Sequence, residues 1–120
     1  MTKRQTLTKQ ADQVFSLHIR NRGATFEYNH CFTCGAYLPV YELQAGHFIG
    51  RRYIKVRWNP VNVWPQCNDC NVTKGGNLKV YEKKLSEMFS PELIDDLWEL
   101  ARQGDDFTDS DIKDIIKEYR

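Results

Sequence analysis

Two C-x-x-C pairs, Cys31-Phe32-Thr33-Cys34 and Cys67-Asn68-Asp69-Cys70, hold all four cysteines of the chain, with 32 residues between Cys34 and Cys67. A C-x-x-C turn points two sulfurs at one point, and two such turns supply the four soft thiolates that tetrahedral zinc prefers. The spacing predicts a structural zinc that closes the loop over residues 35–66. Disulfides would need an oxidising compartment, whereas residues 1–10 are polar and basic, with no apolar stretch to direct export. A thioredoxin-like redox motif would account for one pair and not two. An iron–sulfur cluster also takes four thiolates, but the symmetric pairs suit zinc better. Around this knot stand Ala45-Gly46-His47-Phe48, then Asn62, then Asn71 directly after the last cysteine.

The elements that must position these groups belong to a short chain. At 120 residues and 41% hydrophobic content the sequence predicts one domain, 1–120, with a modest core to which a bound metal would add stability directly. No stretch approaches a membrane span, so a soluble, cytoplasmic protein without membrane contact is expected. The net charge of +1 conceals an asymmetry: residues 1–80 carry +7 and residues 81–120 carry −6. A basic front with an acidic back suits a protein that meets a polyanion with one part only.

A helix is expected over 8–22, because Ala11, Val14, Phe15 and Ile19 recur with helical spacing and Gly23 can end it. Its polar face offers Arg20 and Arg22 to phosphates. Phe26, Tyr28 and Phe32 alternate as in a short strand leading to the first cysteine turn. Residues 37–42 and 44–49 predict two strands forming a hairpin or bent ribbon, with His47 on the second. Residues 50–58 interleave Arg51, Arg52, Lys55 and Arg57 with aromatic and β-branched residues, as a loop lying on a sugar-phosphate backbone would; the plainer reading is an exposed strand whose charges only keep it soluble. Residues 59–66, with two prolines and two asparagines, predict a fixed extended loop. A short helical turn near Asp69, a helix over 78–88 and two acidic helices within 90–120 complete the pattern. Ser90-Pro91-Glu92 starts the first of these acidic helices.

One histidine on a strand, one asparagine on the following loop and one at a helix start, all pinned by a zinc knot, resemble the zinc-stapled HNH or His-Me finger nucleases. The closer resemblance is to phage recombination nucleases of the lambda NinG (Rap) type. It is carried by Ile19-Arg20-Asn21-Arg22, Cys31-Phe32-Thr33-Cys34-Gly35, Ala45-Gly46-His47-Phe48, Gln66-Cys67, Cys70-Asn71, Lys74, Gly76-Asn77 and Tyr81. Phage endonuclease VII, a Holliday-junction resolvase, looks like a more distant relative. The resemblance implies an α+β fold, a small zinc-stapled ββα-metal core over 25–88 with an N-terminal helix and C-terminal helices. It also implies a metal-dependent, structure-selective DNA endonuclease acting on branched recombination intermediates such as Holliday junctions or D-loops, in the host cytoplasm if phage-encoded.

In that resemblance His47 is the general base, since an imidazole titrates near neutral pH and can take a proton from water at the scissile phosphate. Asn62 orients the imidazole or its backbone. Asn71 holds a catalytic magnesium or manganese ion, with His47 as a second candidate ligand. Taken singly, each has a plainer reading: a packed strand histidine, an Asx turn, a helix cap. Many relatives carry an aspartate before the base histidine, where this chain has Gly46; Glu42 or Asp69 could supply the missing carboxylate. Arg20, Arg22, Arg51, Arg52, Lys55, Arg57 and Lys74 are the candidate DNA contacts, fixing backbone without reading bases. Two cuts resolve a four-way junction, so a homodimer is expected, built on Leu93, Leu97, Trp98, Ile112 and Ile116; recombinase or annealing proteins are candidate partners. The competing reading is an inactive zinc-knuckle module for DNA binding or recombination assembly.

Overall fold

The computed structural model describes all 120 residues. Helix α1 (Lys3–Asn21) begins well before Thr8, because Thr2 and Gln5 form a reciprocal cap: the Thr2 hydroxyl accepts the Gln5 N–H at 3.1 Å and the Gln5 side chain accepts the Thr2 N–H at 2.9 Å. Apolar periodicity alone misses this start, since Leu7 is the only apolar residue between the cap and Ala11. Ala11, Phe15 and Ile19 form the buried stripe.

Strands β1 (Tyr28–His30) and β2 (Tyr37–Pro39) make a small antiparallel ribbon in which His30 pairs with Tyr37. The expected alternation from Phe26 fails: Phe26 and Glu27 take left-handed φ values of 51° and 66°, so the chain turns there and Phe26 projects into solvent. The expected hairpin between 37–42 and 44–49 is also absent. Val40–Glu42 is one 3₁₀ turn that carries the chain away from the first ribbon, and β3 (Leu43–His47) pairs instead with β4 (Val63–Cys67). In that register Leu43 faces Cys67, Gly46 faces Trp64 and His47 faces Val63. The second half of the expected proline-rich loop is therefore strand. Pro65 has no N–H to donate, while its carbonyl accepts the Phe32 N–H at 2.7 Å and ties the first cysteine turn to β4.

The basic segment, expected as a loop, instead forms the single-turn helix α2 (Ile54–Arg57), and it is not the exposed strand of the plainer reading either. A π turn over Asp69–Thr73 carries Cys70 and Asn71, matching the helical turn expected near Asp69. Helices α3 (Leu78–Met88), α4 (Glu92–Ala101) and α5 (Asp109–Tyr119) follow, the last capped by the reciprocal Thr108–Asp111 pair. The result is a mixture of helices with small antiparallel strands.

Two apolar clusters flank the β3–β4 ribbon. Phe48, Ile49, Val56, Tyr81, Leu85, Ile94, Leu97 and Ala101 form one; Ala11, Phe15, Ile19, Trp58, Val63, Ile112 and Ile116 form the other. Leu97, Ile112 and Ile116, offered from the sequence as a dimer surface, are thus buried in the chain's own core, and Leu93 and Trp98 pack partly against it. An amphipathic stripe has no feature that distinguishes an internal partner from a second subunit.

Candidate functional site

The ligand atoms of Cys31, Cys34, Cys67 and Cys70 all lie within 4.8 Å of one another. The Cys34 and Cys67 sulfurs are 3.7 Å apart. A disulfide would hold them at about 2 Å, whereas zinc with arms of about 2.3 Å spaces its sulfurs by about 3.8 Å. The surroundings suit thiolates: the Cys70 N–H points to Cys67 Sγ at 3.4 Å and Asn77 Nδ2 to Cys70 Sγ at 3.6 Å. Thr33 Oγ1 accepts from Gln66 Nε2 at 3.1 Å, which leaves its own proton for Cys31 Sγ at 3.4 Å. Burial pushes the Cys67 thiol up to about 12 and raises Cys34 as well, an opposition that a dication among the sulfurs would reverse. The four clustered cysteines could therefore bind a zinc ion.

His47 ends β3. Its Nε2 lies 2.9 Å from the Arg57 carbonyl oxygen. A carbonyl only accepts, so Nε2 carries the proton of the neutral ring and Nδ1 keeps the lone pair. Burial lowers the imidazole below its ordinary 6.5, with Arg51 adding to the fall; the Arg57 and Ala45 carbonyls and the Asp12 charge act in the opposite direction. The neutral form dominates at neutral pH. His47 lines a cleft of about 800 Å³ together with Asn71, Gln44, Arg20, Arg51 and Asp12.

Asn62 is fully buried behind this cleft and reaches backbone, not the imidazole. Its Oδ1 accepts the Ile49 N–H at 2.9 Å, while Nδ2 donates to the Ile49 carbonyl at 2.9 Å and the Val56 carbonyl at 3.0 Å. It clamps the turn that follows His47 onto α2. Asn71 donates through Nδ2 to Gln44 Oε1 at 2.7 Å, which leaves its amide oxygen as a hard donor. Of the two carboxylates considered as replacements for one at Gly46, Asp69 pairs with Lys74 at 3.5 Å, and neither it nor Glu42 lines the cleft. Gly46 and Gln66 lie against each other, and a Cβ at Gly46 would overlap the Gln66 side chain.

The basic residues divide into two groups. Arg20 and Arg51 line the cleft, Arg52 is exposed with its guanidinium 4.7 Å from the Tyr53 ring, and Lys74 is exposed beside Asp69. The other three are occupied inside the fold. Arg22 donates to the Pro60 and Val63 carbonyls at 2.8 and 2.9 Å and lies 4.0 Å over the Trp64 ring. Lys55 pairs with Asp106, and Arg57 with Asp12. Asp12 and Gln44 have no role assigned from the sequence, and Gln66 enters only as part of Gln66-Cys67, without a role. For Asp12 the one available signal is that it is the sole acid in residues 1–22 and sits beside Ala11 of the apolar stripe.

No helix is long and apolar enough to cross a membrane. No solved structure matches the chain. A family profile described as Bacteriophage Lambda NinG protein matches residues 1–120. The chain is 31% identical over 113 residues to Protein ninG of Escherichia phage lambda, an alignment covering 93% of this chain and 53% of that protein. It is 30% identical over 113 residues to Protein ninG of Salmonella phage P22, with the same coverage of 93% and 53%. To Protein ninG of Escherichia phage 933W it is 31% identical over 90 residues, covering 74% of this chain and 43% of the relative. The chain spans about half the length of the curated relatives it matches. With the profile extending over every residue, the chain belongs to the NinG family.

Proposed function

We propose that this chain is a metal-dependent DNA endonuclease that hydrolyses phosphodiester bonds in branched recombination intermediates such as Holliday junctions or D-loops. The observation that carries the reading is the neutral His47 ring, its Nε2 proton held by the Arg57 carbonyl at 2.9 Å, on a cleft that also exposes Arg20, Arg51 and Asn71. Nδ1 takes the proton of a water molecule as that water's oxygen attacks phosphorus. Arg20 and Arg51 hold the flanking phosphates, contacts that carry no base sequence and leave the choice of substrate to DNA shape. Asn62 keeps the turn after His47 rigid.

The zinc is held by Cys31, Cys34, Cys67 and Cys70 and is structural. The Asn71 amide oxygen is the protein donor for magnesium or manganese, which when bound would neutralise charge growing on the phosphate and the leaving oxygen. One amide is few ligands for such an ion, so its remaining positions fall to phosphate oxygens and water. Opposed cuts in a four-way junction call for two copies of the chain, and the α4 and α5 stripes are occupied within each.

The absence of a free carboxylate at the cleft favours a second reading, an inactive zinc-stapled DNA-binding or assembly module. Incubating the zinc-loaded protein with a labelled four-way junction, a matched duplex and a single strand, each with magnesium, manganese or EDTA, separates the two. The nuclease reading expects junction cutting that EDTA abolishes; tight junction binding without cutting under either metal selects the module.

A further inference from the structure

Asp12 on α1 lies 45 residues from Arg57 in sequence, yet its carboxylate collects three hydrogen bonds from the end of α2. Arg57 Nε donates to Oδ1 at 2.9 Å, Arg57 Nη2 to Oδ2 at 2.5 Å, and Trp58 Nε1 to Oδ1 at 3.0 Å. The two charged side chains are 25% and 19% exposed, so this two-pronged pair is largely shielded from competing water. Arg51 Nη1 stands 3.9 Å from the same Oδ2.

The carbonyl of Arg57 is the group that accepts the His47 Nε2 proton. It sits at the end of a four-residue helix, too short to hold its own geometry by helical cooperativity. What grips α2 therefore sets where that carbonyl lies. Asn62 holds the Val56 carbonyl from one side at 3.0 Å, and Asp12 holds the Arg57 side chain from the other.

We propose that Asp12 is a positioning residue for His47: by clamping Arg57 it places the Arg57 carbonyl where that carbonyl selects the Nε2–H tautomer and fixes the ring on the cleft. The proposal rests on the reading of His47 as the base and extends it to a carboxylate on the N-terminal helix. Asp12 touches neither the phosphate nor the transferred proton; its effect passes through Arg57.

The test uses the full zinc-loaded chain with ¹⁵N-labelled histidine. Long-range ¹H–¹⁵N NMR at neutral pH reports which nitrogen of His47 is protonated in wild type, Asp12→Asn, Asp12→Ala, Arg57→Gln and the Asp12→Asn/Arg57→Gln double variant. Wild type is expected to show Nε2–H alone. Each single variant should show mixed tautomers, and the double variant should be no more perturbed than the worse single. Junction cleavage should fall in kcat by about 10²-fold with little change in KM, as a displaced catalytic group does. A folded Asp12→Asn or Arg57→Gln protein that keeps the wild-type tautomer overturns the clamp, whatever happens to cleavage. If wild type cuts nothing while the tautomer still follows Asp12, the nuclease reading fails and the clamp stands. Should Asp12→Ala not fold, Asp12→Asn carries the test, because it is isosteric and keeps an acceptor for Trp58.

Discussion

Gly46 and Gln66 share one face of the β3–β4 ribbon so closely that the glycine's missing Cβ is the space the glutamine side chain fills. Gln66 is fully buried there, donating to Thr33 Oγ1 at 3.1 Å and the Gly76 carbonyl at 2.9 Å, while Tyr81 donates to the Gly46 carbonyl at 2.5 Å. The glycine before the histidine is thus a packing requirement between the cysteine knot and the strand. Gly46→Ala should destabilise the fold by about 1–3 kcal/mol, the usual cost of overpacking a tight core. Gly46→Asp should cost more, since it also buries a carboxylate. Urea denaturation measures both, and Gly46→Ala combined with Gln66→Ala should be less destabilised than the two single losses added together. Full additivity would mean that the two side chains do not compete for the space.

Metal removal should be drastic. Structural zinc in small sites contributes about 10–16 kcal/mol of apparent free energy, while an entire small domain holds about 5–15 kcal/mol net. Cys31→Ser or Cys70→Ser should therefore lose zinc and cooperative unfolding together. Elemental analysis should find one zinc per wild-type chain. A variant that folds cooperatively without metal would remove the zinc from the account.

How much of this the sequence discloses depends on whether the partner of each group is near in the chain. The cysteine knot is legible because the C-x-x-C spacing is itself the geometry, and α3 is legible because its apolar period is. The β3–β4 pairing is not: a period of two names the faces of a strand and never its neighbour, and Pro60 and Pro65 make 59–66 read as loop although Pro65 sits in a ladder with Ala45. The same blindness applies to charge. Arg57 reads as a phosphate contact until Asp12, 45 residues earlier, is found against it. His47 and Asn71 do share a cleft, but the carboxylate lining it is one the motif did not indicate.

Asn62 should prove to be a stability residue as much as a site residue. Asn62→Ala would strand the Ile49 N–H and the Ile49 carbonyl in a fully buried position, while the Val56 carbonyl keeps the Asn59 N–H. Unsatisfied buried groups cost about 1–3 kcal/mol each, so a loss of about 2–6 kcal/mol is expected in chemical denaturation. A loss below half a kcal/mol, of the size typical of exposed sites, would contradict the clamp drawn here.

The His47 environment sets a pH signature. Burial lowers the folded imidazole below 6.5, so between that lowered value and 6.5 the unfolded chain binds more protons than the folded one. Stability from this group therefore rises with pH through that window and is lost on acidification through it. Wild type should lose more stability than His47→Gln when taken from pH 7 to pH 5, as read by urea midpoints. Cleavage that depends on the neutral imidazole should reach half its maximal rate below pH 6.5. A rate still climbing steeply above that pH would contradict the lowered value.

Arg20→Ala and Arg51→Ala should each weaken junction binding and reduce the slope of log K against log salt by about 1. Arg22→Ala should instead lower thermal stability, because its guanidinium holds the Pro60 and Val63 carbonyls. Fluorescence anisotropy across a salt series distinguishes the two behaviours. An Arg51→Ala protein with an unchanged slope would remove that residue from the interface.

The most direct measurement of the central claim is single-turnover cleavage of a labelled four-way junction in magnesium by wild type and His47→Ala, both verified as folded and zinc-loaded. The account predicts cutting by wild type and its loss by several orders of magnitude in His47→Ala, with junction affinity preserved. Equal cutting by both proteins, or binding without cutting by wild type, would contradict it.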